Sequence, residues 1–111
     1  MKIIERLTME LNNKEYFSAA ELTIFLEENT LVADATYVKD THQRNLLYTV
    51  VDILEAVSND VDLLRKTETE FMTTESAYKH LQERIEKIKQ RIYTISDNVN
   101  DNMISLLFSR K

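Results

Sequence analysis

The sequence predicts an all-α fold: a small helical bundle of four to five helices with a long C-terminal helix and an apolar C-terminal arm. Three observations predict it. The 111 residues include no Gly and no Pro, where an average chain of this length holds roughly eight and five. Sheet-based folds lean on both residues for tight turns, bulges and edges. Apolar residues instead recur at helical spacing in successive segments. Finally, 43% apolar and 30% charged residues suit a modest single core and exclude a wholly disordered chain.

The first segment places Ile3, Ile4, Leu7 and Leu11 on one helical face. Asn12-Asn13 suits its end, because Asn tolerates the left-handed conformation. Ser18 and Glu21 have capping-box spacing ahead of Leu22, Phe25 and Leu26, which predicts a second helix running to about Asn29. Residues 30–40 carry no helical stripe. Their β-branched residues permit an extended loop or a short strand, anchored to the core by Leu31 and Tyr37.

Asp40 and Gln43 again have capping-box spacing and open the most apolar helix. Leu46, Leu47, Val50, Val51, Ile53, Leu54 and Val57 cover more than half its circumference, the pattern of a helix with neighbours on several sides. Ser58-Asn59-Asp60 ends or bends it, and Val61, Leu63 and Leu64 add one more turn. Residues 67–74 read as a polar connector with Phe71-Met72 embedded. In the last helix, Tyr78, Leu81, Ile85, Ile88, Ile92 and Ile95 are spaced 3, 4, 3, 4, 3. That heptad seam predicts a rod of roughly 33 Å from Thr74 to about Ser96. It serves either the domain's own core or a partner helix.

A bundle domain over residues 1–96 is thus expected, followed over 97–111 by a spacer and arm. Asp97–Asn102 is polar; Met103, Ile104, Leu106, Leu107 and Phe108 are apolar; Arg110 and Lys111 are basic. Such an arm either folds back on its own core or docks into a partner. These seven residues are the candidate partner-binding site.

Candidate catalytic, cofactor and metal sites are not found. No Cys is present, which removes thiolate nucleophiles and ligands, and without Gly there is no phosphate-cradling loop. His42 and His80 stand alone, outside metal-ligand spacing, and read as structural or exposed. Asp97-x-Val99-x-Asp101 lacks the Gly and Glu of a calcium loop, with Asn102 and Phe108 in their places. The expectation is a non-enzymatic protein with no cofactor and no small-molecule substrate. Residues 1–40 carry 4 basic and 8 acidic side chains, 41–74 carry 3 and 6, and 75–111 carry 7 and 5. A net charge of −5 disfavours nucleic acid as a partner. No run approaches the ~18 apolar residues of a membrane span, and Met1-Lys2-Ile3-Ile4 is followed at once by Glu5 and Arg6, so no secretory apolar region is expected.

The order and character of these elements resemble the small helical head–tail connector (adaptor) proteins of tailed bacteriophages and prophages. The resemblance is carried by Ile3-Ile4-Glu5-Arg6-Leu7, the short helix Glu21–Asn29, the loop ending at Tyr37, the helix through Leu46-Leu47 and Val50–Leu54, and Ser76–Ile85. It implies a structural virion-assembly subunit that forms a homo-oligomeric ring, contacts portal and tail proteins, and reaches a neighbour with its C-terminal arm. Its place would be the connector region of the virion, or the bacterial cytoplasm during assembly. The chain departs from many relatives in lacking loop Gly and Pro. The alternative reading is a cytoplasmic helical-bundle regulatory or adaptor protein that binds a partner through its last helix.

Overall fold

The computed structural model describes residues 1–65 and 73–107, with side chains described up to Ile95 except at position 61. Among them lie five helices: α1 (Ile3–Glu10), α2 (Ala19–Glu28), α3 (Lys39–Ser58), α4 (Val61–Arg65) and α5 (Thr74–Leu107). Extended pairing is limited, among the described residues, to one isolated bridge between Lys2 and Thr36. The all-α bundle is what the missing Gly and Pro and the helical periodicity predict.

Without glycine, the helix ends use other residues at positive φ. After α1, Asn12 and Asn13 sit at φ 59° and 60°. Their N–H groups donate to the carbonyls of Met9 and Thr8, the two bonds of a Schellman cap. After α2 the same pair runs from Thr30 to Glu27 and from Leu31 to Leu26. Here a threonine holds the left-handed position at φ 63°, where a β-branched side chain crowds its own backbone. Thr30→Gly is therefore expected to raise stability by about 0.5–1 kcal/mol, less what is lost with the Asn45 hydrogen bond to the Thr30 hydroxyl. Chemical denaturation checks it. An unchanged or lower midpoint would mean that this hydrogen bond outweighs the strain.

Ser18 caps α2 as expected, accepting from the Glu21 N–H while Glu21 accepts from the Ser18 N–H. Asp60 likewise accepts from Asp62 and Leu63, so the break at 58–60 is both the end of α3 and the start of α4. Thr73 caps α5 through the Ser76 N–H.

Residues 30–38 form a loop with a structural task, and 39–40 already belong to α3. The carbonyls of Ala35 and Ala33 accept from the N–H groups of Ile3 and Ile4, and Tyr37 N–H donates to the Met1 carbonyl. Donors that a helix start leaves unsatisfied are thereby paired by backbone distant in sequence. Leu31 is buried and Tyr37 packs against the core, as anticipated.

α3 is the central element, packed on α1, α2, α4 and α5. Each of the seven apolar residues assigned to its core face is buried. Its start differs from the Asp40–Gln43 cap expected. The helix begins at Lys39 with Val38 as N-cap and no side-chain cap bond. Val38 N–H donates instead to His42 Nδ1, at 2.9 Å. An imidazole one turn along reaches back over the end, which leaves Asp40 in the first turn as a charge favourable to the helix dipole.

The seam of α5 lies along α3 and the core, with Leu81, Ile85, Ile88 and Ile92 buried and Ile95 partly so. Two expectations are corrected. Tyr78 is exposed, and Ala77, four positions before Leu81 and wholly buried, takes its place in the core. The helix also does not stop near Ser96 but runs to Leu107. Asn, Asp and Ser are weak helix formers, yet none breaks a helix as Gly or Pro does. Phe71 and Met72, Phe108, Arg110 and Lys111, and the side chains of Met103, Ile104, Leu106 and Leu107, lie outside what is described.

Candidate functional site

Two surface features concentrate chemistry. The first is a charged cluster where α1 meets α5. Glu10 stands one turn after Arg6 on α1, and their ion pair is 2.8 Å long. From α5, Arg91 approaches both Glu10 carboxylate oxygens at 3.4 Å. Arg84, two turns earlier on the same face, donates to the Glu10 main-chain carbonyl, one of the acceptors a helix C-terminus leaves open. The Arg6 guanidinium also lies over the Tyr37 ring, 5.7 Å from its centroid.

Burial pushes the Glu10 carboxyl toward the neutral form, but the hydrogen bonds and charges of Arg91 and Arg6 outweigh it, and the pKa falls below its ordinary value. Burial raises the Tyr16 phenol, partly offset by Arg84, and raises that of Tyr37 against the opposing pull of Arg6. The cluster is a clamp. It ties the first helix to the last through side chains 74 and 81 residues apart in sequence.

A lowered folded-state pKa stabilises the fold above the unfolded value, and that contribution is lost as pH falls through the lowered value. Glu10→Gln is expected to cost about 1–2 kcal/mol near neutral pH, a value held down by the exposure of Arg91. The difference from the parent should shrink below about pH 4. Thermal melts at pH 7 and pH 3 measure this, and a pH-independent difference would remove the ionic part of the account.

The second feature is a set of open recesses lined by both apolar and polar side chains. One, of about 540 Å³, lies between α1, the turn before α2 and α2 itself. Ile4, Tyr16, Phe17 and Leu22 line it, with the carboxylates of Glu15 and Glu21 beside them. Phe17 also meets Phe25 of α2 in a tilted contact, the ring centroids 5.1 Å apart. Another, of about 290 Å³, lies between α3 and α5 and is lined by Tyr48, Lys89, Ile92 and Tyr93. Lys89 pairs there with Glu55 across the helices at 3.6 Å. Tyr93 is 74% exposed.

His42 serves as a helix cap, and His80 is exposed. Among the described residues no group of three or more His, Cys, Asp or Glu is placed to hold a metal ion. No helix among them is long and apolar enough to cross a membrane. Arg84, Lys89 and Arg91 turn to acidic or carbonyl partners on the chain's own α1 and α3. The basic balance of the last segment is thus partly spent within the fold. The clamp could not be found from sequence, because its members share no local spacing. Scans against protein-family models, curated proteins and solved structures match nothing to this chain.

Proposed function

We propose that this chain is a non-enzymatic structural subunit: a phage or prophage head–tail connector that assembles as a homo-oligomeric ring between portal and tail. The observation that carries the proposal is the length of α5. Its seam packs into the chain's own core through Ile92 and Ile95, and its backbone is helical to Leu107. Twelve further residues make about 18 Å of helix, and they include Val99, Met103, Ile104, Leu106 and Leu107. Four of these five apolar residues fall within the last five positions, 103–107, a concentration that suits burial against another molecule. An apolar, basic end and an acidic body on one subunit are two unlike surfaces, the requirement for heterologous contacts that close into a ring.

Sedimentation of the purified chain, alone and with a portal protein, tests the proposal. Concentration-dependent assembly and co-sedimentation with the portal are expected. A chain that stays monomeric at high concentration and ignores the portal would overturn it. The alternative, a cytoplasmic adaptor binding a partner through its last helix, draws support from the exposed Tyr78 and Tyr93 on α5. Its heptad seam, however, is occupied by the chain's own core.

A further inference from the structure

We infer that the recess between α1 and α2 is the receptor for the C-terminal segment, residues 103–111, of a second copy of this chain. The inference rests on the self-assembly proposed above and names the surface that receives the arm.

Chemical fit is the first argument. The segment is apolar through Leu106, Leu107 and Phe108 and then basic at Arg110 and Lys111. The recess is apolar at Ile4, Tyr16, Phe17 and Leu22 and has two carboxylates, Glu15 and Glu21, against one cation, Lys14. Its volume, about 540 Å³, lies within the range of roughly 300–1,000 Å³ in which ligand pockets fall. The recess on the α3–α5 face is smaller, and its one charged lining residue is Lys89. A basic segment is disfavoured there.

The second argument fixes the occupant as a second copy. Arg84 bonds the Glu10 carbonyl and acts electrostatically on Tyr16, so the recess lies level with Arg84 along α5. From Arg84 the helix continues to Leu107, a further ~35 Å. Residues 108–111, even fully extended, recover only ~14 Å of it. A chain cannot reach its own recess while α5 is intact. The arm of one copy in the recess of the next is a head-to-tail contact, the kind whose repetition gives a ring when its rotation closes.

Because the sequence has no Cys, a cross-link tests this without background. Two full-length populations, one bearing Ala19→Cys at the exposed edge of the recess and one bearing Ser109→Cys, are mixed and oxidised. Disulfide-linked heterodimer should form at least tenfold more than when Tyr93→Cys replaces Ala19→Cys. Glu15→Lys should weaken assembly at least tenfold, and pairing it with Lys111→Glu should restore it. If the chain assembles but the 109 position links to 93 and not to 19, the recess is wrong while the assembly reading stands. A chain that never assembles overturns both. Both substitutions placed in one chain that then links within a dilute monomer would overturn the second-copy occupant alone.

Discussion

Leu47→Asp and Leu54→Asp are each expected to leave the chain unfolded at 25 °C. Both leucines are fully buried on α3, the helix that α1, α2, α4 and α5 all pack against. A carboxylate placed there loses its hydration without gaining a partner, which costs several kcal/mol against a total stability of about 5–10. It also removes the apolar burial of the leucine itself, roughly 2–5 kcal/mol in large-to-small core substitutions. Circular dichroism should show little helix for either variant. A parent-like melt would mean that α3 presents a different face to the core. The same substitution at Ile24, 55% exposed on α2, should shift the melt only slightly, and so separates burial from a general intolerance of charge.

Deleting residues 103–111 is expected to abolish assembly while leaving the melting temperature nearly unchanged. The α5 side chains that pack the described core run from Ala77 to Ile95, all ahead of the deletion. Helical content should fall only by the last turn or so of α5, which reaches Leu107. Burying Leu107 and Phe108 in a neighbour would contribute roughly 1.5–3 kcal/mol each, enough to decide whether subunits associate. The charges of Arg110 and Lys111 should add a salt-sensitive part. Sedimentation in low and high salt, beside thermal melts, reads both effects. A truncation that melts much earlier and still assembles would assign the segment to the chain's own core instead.

Much of the bundle was legible because it is local. The capping box at Ser18 and Glu21, the left-handed Asn12-Asn13 and the stop at residues 58–60 each involve groups within a few positions of one another. Their hydrogen bonds depend on backbone conformations that the residue types themselves favour. The core face of α3 was equally plain, since burial on all sides leaves a wide apolar stripe that no neighbour can disguise.

Other features required the third dimension. Residues 30–40 have no periodicity, and what orders them is the set of unpaired N–H donors at the start of α1, some thirty positions away. His42 displaced the expected Asp40 cap because the loop delivers Val38 N–H to its ring. The exchange of Tyr78 for Ala77 depends on how α5 packs against α3 and α4, which a heptad count does not contain. Glu10 looks like any surface carboxylate until Arg84 and Arg91 arrive from the far end of the chain.

The sequence by itself determined the helical class, the ends of α1 and α2, the break after α3 and the central face, because each depends on intrinsic conformation and burial along one segment. The tertiary structure alone decided the loop, the charged clamp and the recess between α1 and α2. Those are meetings of residues distant in the chain, and their energies exist only once the helices have packed.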